Sequence, residues 1–247
     1  MNKTTIIAVV TAGLYLACSA TVAAQTQAPT TKFFVDVNAG AQTQSRSIAT
    51  STSFPLYTET AIINTAQAVD SGGLFDLNLG YRLPVSFAGK MPFGVGIGVS
   101  IFGDDGESSV VASIPSPVAF NRAANVTASG TDLKHKEVAT HLTLSYFHTI
   151  TENIEVSVSL GPSFFNVSQD FQTASVPSGT QSLSLGTVRE RESAVGANIG
   201  FNINYLVRPN YGAGVFFRYA GATADFDTFD DLKVGGVQLG GGLRLRF

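Results

Sequence analysis

The chain has 247 residues, with 15 lysines and arginines against 18 aspartates and glutamates, a formal net charge of −3. No basic block is present, so nucleic acid is not an expected partner, and the only cysteine, Cys18, leaves no disulfide framework or thiolate metal site. Charged residues are 13% of the chain, where roughly 25% is usual, yet past the first residues no apolar run is long enough for a membrane-spanning helix, which needs roughly 20 residues.

The N-terminus reads as a secretory signal. Lys3 precedes a mostly apolar run from Ile6 to Ala17, and Val22-Ala23-Ala24 offers small residues for cleavage after Ala24. Tyr15-Leu16-Ala17-Cys18 matches a lipoprotein box poorly, because Tyr15 stands where leucine is wanted. The expected organisation is a cleaved signal peptide at 1–24, a short periplasmic segment at 25–31, and one barrel domain at 32–247.

From Phe33 onward the chain alternates. Phe33, Val35, Val37, Ala39 and Ala41 are separated by Phe34, Asp36, Asn38, Gly40 and Gln42. Successive strand side chains point to opposite faces, so one face is greasy and the other polar. The same period recurs at Phe75–Leu83, Phe93–Ile101, Glu137–Tyr146, Ile154–Gly161, Val195–Tyr205, Tyr211–Ala220 and Val237–Phe247. Most runs reach the roughly 9–11 residues a membrane-spanning strand needs.

The connections differ in length. Thr151-Glu152-Asn153 and Arg208-Pro209-Asn210 are tight turns, and Pro84 to Pro92 is longer. Gln42–Gly73, Phe102–Lys136 and Phe165–Ala194 are long and polar, with turn signals at Pro55, Pro115-Ser116-Pro117 and Pro177-Ser178-Gly179; only Asp225–Leu232 is short among the connections at that end. Their arms, rich in Ser, Thr and Val, read as exposed strands able to pair with extended partners by edge addition. Ser71-Gly72-Gly73 reads as a bulge or bend at the entry of the second spanning strand. Phe33, Tyr81, Phe93, Tyr146, Tyr205, Tyr211 and Phe247 fall at the short-turn end, where an interfacial aromatic girdle is expected.

The fold class expected is therefore all-β: a closed, antiparallel, up-and-down transmembrane β-barrel of eight strands, with short periplasmic turns and long extracellular hairpins. Counting the hairpin arms separately would give ten. The eight alternating segments and the terminal Leu243-Arg244-Leu245-Arg246-Phe247 resemble the small bacterial outer-membrane barrels: the transmembrane domain of outer-membrane protein A, protein X and porin-like barrels. The resemblance implies a bacterial outer-membrane location, contact with outer-membrane lipid and lipopolysaccharide, and a C-terminal signal (Leu243, Leu245, Phe247) read by the barrel-assembly machinery. Relative to protein A, the expected difference is the absence of a C-terminal peptidoglycan-binding domain, because the sequence ends with the last strand.

Inside a barrel of this size the side chains fill the lumen. Acidic Asp36, Asp76 and Glu155 are expected to meet Arg82, Arg218, Arg244 and Arg246, because buried charges require partners. Closure brings Arg244 or Arg246 towards Asp36, and Gly94, Gly96 and Gly98 leave space for a long side chain from across the lumen. No catalytic residue, cofactor or metal is expected. His141 faces inward among Thr143 and Ser145, but no His-x-Ser or Asp-x-His pair occurs, and His148 faces outward. In His135-Lys136-Glu137 adjacent positions alternate faces, Asp104-Asp105 reads as solvated loop charge, and Asp225, Asp227, Asp230 and Asp231 lack the spacing of a calcium loop. The leading reading is a non-enzymatic, plugged outer-membrane barrel serving envelope integrity or contact with an extracellular surface partner. The alternatives are a small porin or solute channel and, behind it, an outer-membrane lipid hydrolase.

Overall fold

Two-residue periodicity runs the length of the computed structural model, which describes residues 32–44, 46–87 and 91–247. The expected signal peptide at 1–24, with Cys18, and the segment 25–31 lie outside the described residues. Ten strands form one antiparallel sheet: β1 (Phe33–Thr43), β2 (Arg46–Leu56), β3 (Glu59–Val69), β4 (Gly72–Phe87), β5 (Met91–Ile114), β6 (Ala124–Thr149), β7 (Ile154–Ser175), β8 (Ser184–Arg208), β9 (Tyr211–Ala224) and β10 (Leu232–Arg246).

Eight of these close a ring, β1–β4–β5–β6–β7–β8–β9–β10, with β10 returning to β1 in the register Phe34↔Arg246, Asp36↔Arg244, Asn38↔Gly242. The other two, β2 and β3, form a hairpin inserted between β1 and β4. Eight and ten are thus both correct counts, one of the ring and one of the sheet. The closing seam is tight: a Cβ at Gly242 would lie 1.8 Å from the Val37 carbonyl oxygen, so only glycine lets the backbones approach there.

In the ring the outer face is apolar. Ile97 sits between Leu79 and Leu142 on the neighbouring strands, and all three are exposed. Phe33 packs against Tyr81 with ring centroids 5.0 Å apart, and Phe93 against Tyr146 at 5.8 Å, in the expected girdle. Tyr219, Phe217 and Phe164 form its counterpart towards the long hairpins. Among the described residues, no outward position between the two girdles is charged. Nine to eleven strand residues tilted by roughly 45° make this belt about 20–25 Å tall.

β5, β6, β7 and β8 are 24, 26, 22 and 25 residues long, far more than the belt requires. The arms were expected to be exposed strands; instead they pack together. β3 pairs with the upper part of β5, Ile62–Gln67 against Ser108–Ser113. β6 leaves β7 beyond His135↔Gln169, and β8 leaves β9 beyond Ala197↔Gly221. Above those points a four-stranded sheet, β2–β3–β5–β6, faces the β7–β8 hairpin. Ile63, Val110, Ala112 and Ile114 from the sheet meet Ala174, Val176, Leu183 and Leu185 from the hairpin. Tyr57 Oη accepts from the Gly179 amide at 2.7 Å, and Gln181 Nε2 donates to the Ile114 carbonyl at 3.0 Å, tying the three tips together.

Other local readings need correction. The first hairpin turns at Tyr57-Thr58, both at positive φ (52° and 64°), and Pro55 lies within β2. β4 continues through Pro84 to Phe87 and β5 begins at Met91, so the connection between them is shorter than Pro84–Pro92. Ser71 occupies the β3–β4 junction, while Gly72 and Gly73 pair regularly with Gln42 and Ala41; the register shift in β4 lies between Arg82 and Ser86.

Candidate functional site

The inward positions of the ring form the site, because strand alternation sends them all into one narrow tube. The polar zone begins at the short-turn mouth. Arg82 Nη2 lies 2.5 Å from Glu155 Oε2, Arg246 Nη1 2.7 Å from Asp36 Oδ1, and Arg246 Nη2 3.5 Å from Glu155 Oε1. Arg244 Nε is 3.9 Å from Asp36 and donates to Asn204 Oδ1 at 2.6 Å. Deeper in, Arg218 Nη2 meets Asp76 Oδ2 at 2.6 Å. The structure thus brings all seven expected residues together, with every one of the four guanidinium groups within 3.9 Å of a carboxylate.

Amides weld these pairs into one chain, and inspection of charges alone missed them. Asn38 accepts from Arg244 Nη1 at 2.5 Å and donates to Asp76 Oδ1 at 2.9 Å. Arg218 Nε donates to Gln238 Oε1 at 2.6 Å, Gln238 Nε2 to Gln42 Oε1 at 2.7 Å, and Gln42 Nε2 to Glu137 Oε2 at 2.8 Å. Their inward parity was the available signal. Phe147 lies 4.3 Å under the Arg82 guanidinium, and Phe34 5.5 Å from that of Arg246. The space left by the three inward glycines is taken from nearby, by Phe147 at Gly94, Thr143 at Gly96 and Asn78 at Gly98, not by a long side chain from across the lumen.

Glu137 is a second hub. It accepts from Gln44 Nε2 at 3.1 Å and from the Gly235 amide at 3.0 Å, and Arg46 Nη1 is 3.6 Å away. His135 and Glu137 are two residues apart and therefore share the inner face: His135 Nε2 is 2.8 Å from Glu137 Oε1, and its Nδ1 contacts Gln169 Oε1. Adjacent positions do alternate, but these two are not adjacent. No group of three or more metal-ligating side chains occurs among the described residues. From the level of Glu137 upward apolar side chains join the polar ones: Ile48, Val69, Val167, Phe171, Phe226, Leu232 and Val234 pack beside buried His135, Gln169, Gln67, Ser108 and Gln172, so the filling there is mixed.

His141 is fully buried between Ser100 Oγ (2.9 Å from Nε2) and Ser163 Oγ (2.7 Å from Nδ1), with Asn198 Nδ2 donating to the same Ser163 oxygen at 2.8 Å. Its hydroxyl partners come from neighbouring strands, which no local sequence pattern reveals. Among the described residues the ring's hydrogen-bond partners are these two hydroxyls, with no carboxylate on either nitrogen to orient it as in a Ser-His-Asp triad. His148 is exposed on the outer face. Asp104 lies in β5 and accepts from the Asp70 amide at 2.8 Å, and Asp225 accepts from the Asp231 amide at 3.0 Å, so each holds backbone in place.

Asp170 marks the point where β6 and β7 part. Arg189 Nε and Nη2 donate to it at 2.6 and 2.9 Å, and the Lys134 amide at 3.2 Å. The Arg189 hydrogen bonds hold its carboxyl below the usual aspartate range. A depressed carboxylate stabilises above its unfolded pKa and ceases to do so as pH falls through the folded value. Acidification below about pH 4 is expected to lower the protection of the Lys134 amide, relative to its intrinsic exchange at the same pH, before that of the belt amides. Asp170→Asn should produce the same loss of protection at neutral pH, as read by amide NMR in micelles.

No family model and no curated protein matches the chain. Among solved structures it is similar to Neisserial surface protein A, with 15% identity, TM-score 0.47, and 87% of this chain and 97% of that one covered. It is also similar to the outer membrane protein OprG from Pseudomonas aeruginosa, with 11% identity, TM-score 0.40, and 88% and 96% covered. A third likeness is to the outer membrane protease OmpT from Escherichia coli, with 12% identity, TM-score 0.41, and 90% and 99% covered.

Proposed function

We propose that this chain is an integral bacterial outer-membrane β-barrel, exported by a cleaved signal at 1–24, with a sealed lumen and no enzymatic activity. It acts in envelope integrity or surface contact through the structure built on its long hairpins. The observation that carries this reading is the uncharged apolar belt around a tube whose inward side chains are, among the described residues, mostly buried. Lumen side chains at successive heights are fully buried, among them Arg246, Arg244, Gln238, His141, Phe102 and Phe171. A conducting pore would leave its lining accessible.

Short turns then face the periplasm and the hairpins the outside. Lipid and lipopolysaccharide would cover the belt, and Leu243, Leu245 and Phe247, which project from the last strand, suit the assembly signal. Membrane fractionation with heat-modifiable gel migration tests the location. Planar-bilayer recording tests the seal: the purified barrel should show no steady conductance. A steady open level would favour the small-channel reading instead. One observation supports that alternative: Arg82 Nε and Nη1, Arg244 Nη2 and Arg246 Nε are buried without hydrogen-bond partners among the described residues, so the mouth network has spare donors with which to rearrange.

A further inference from the structure

Above the belt the three long hairpins end in nearly uncharged chain. Across 47–69, 108–131 and 171–188 the charged residues are Glu59 and Arg122. The β5–β6 tip carries two large apolar side chains into solvent. Val118 is 92% and Phe120 71% exposed, the highest values among the large hydrophobic residues described, those of the belt included. Single exposed apolar residues are ordinary on a surface. These two differ because the loop that carries them is held in place. Ser116 Oγ accepts from the Val118 and Ala119 amides at 3.3 and 3.2 Å, and Glu59 Oε1 from the Asn121 amide at 2.9 Å. Gln181 Nε2 donates to the Arg122 carbonyl at 3.3 Å.

Those paired amides bear on what the tip can enter. A bilayer offers no hydrogen bonds in its apolar region, so a loop can dip into it only where backbone polar groups already have partners. The amides of Val118, Ala119 and Asn121 do. A protein partner is oriented by polar groups at the contact, and these three are taken. The charges agree with a lipid surface. Glu59 turns a carboxylate oxygen to the Asn121 amide, and Arg122 is exposed two residues from Phe120. The run of β5 from Gly103 to Ile114 carries the tip roughly 25 Å above the belt, at about 3.3 Å per residue and a tilt of about 45°. Copies in one membrane point their tips the same way, so the surface opposite the tip belongs to another membrane.

We propose that the β5–β6 tip is an interfacial anchor, which inserts Val118 and Phe120 into the headgroup–acyl boundary of an apposed phospholipid bilayer and sets Arg122 on a lipid phosphate. Aromatic rings favour that boundary, and a guanidinium pairs well with phosphate. Two side chains give one copy a weak hold, and many copies on one membrane make it firm. This deepens the surface-contact reading above and rests on the hairpins facing the cell exterior.

The chain contains no tryptophan, so Phe120→Trp places a single reporter at the tip and keeps an aromatic anchor there. The full barrel is reconstituted in vesicles with its hairpins outward and mixed with protein-free acceptor vesicles of phosphatidylcholine and phosphatidylglycerol. The two populations should dock, the tryptophan emission should move to shorter wavelength, and brominated acceptor lipid should quench it. Val118→Ser and Phe120→Ser together should lower docking at least about tenfold. Arg122→Gln should lower it about threefold, and Ser178→Ala, on the neighbouring tip, should leave it unchanged. Heat-modifiable migration checks that each variant is folded. Absence of docking, equal docking by the double serine variant, or docking without quenching would overturn the proposal. So would an emission shift in the barrel vesicles alone, which marks contact between copies, or one produced by added soluble protein and not by lipid. The underlying orientation is read separately: a Ser178→Cys barrel should react with a membrane-impermeant maleimide on intact cells. Absence of labelling would refute the surface reading and leave the vesicle results standing.

Discussion

Ile97→Arg should destabilise the barrel by about 2–4 kcal/mol, the cost of placing a guanidinium at the lipid midplane. Ile97 is the central outward residue of the run Phe93–Ile101, flanked by Leu79 and Leu142. Val111 projects from the same strand above the belt and is exposed to a similar degree, 45% against 47%. Val111→Arg should therefore change stability by less than about 0.5 kcal/mol, as surface substitutions usually do. Urea unfolding in lipid vesicles, followed by heat-modifiable migration, measures both. Equal, small effects would mean that the greasy face meets water, and the membrane reading would fail with them.

Glu155→Leu should cost about 3–5 kcal/mol, because removing one partner strands a buried charge. Arg82 loses its only carboxylate within 4 Å among the described residues, and Arg246 keeps only Asp36. Adding Arg82→Met should recover most of that loss, since the second substitution removes the stranded charge and leaves its stem length beside Phe147. Glu152, exposed in the adjacent turn, provides the control: Glu152→Leu should be nearly neutral in the same titration. A Glu155→Leu barrel no weaker than the control would mean that the mouth network contributes nothing to stability.

The charged part of the network was readable because each member has inward parity and because closure places Asp36 opposite Arg244 and one step from Arg246. Its amide links were not, since Asn38, Gln42, Asn204 and Gln238 are unremarkable polar residues until the ring sets them side by side. The His135–Glu137 pair was readable in principle, as residues two apart share a face. The Ser100–His141–Ser163 contacts were not, because each serine comes from a different neighbouring strand.

The sequence by itself determined the strands of the ring, the face each presents, and which end carries short turns. Those features follow from a two-residue period that any strand must obey. The tertiary structure alone decided what happens above the belt. Val110, Ala112 and Ile114 alternate as regularly as the belt residues do, but a local pattern cannot say whether an apolar face meets lipid, water or another sheet. Here they meet the β7–β8 hairpin, and that packing leaves the edge of β2 open.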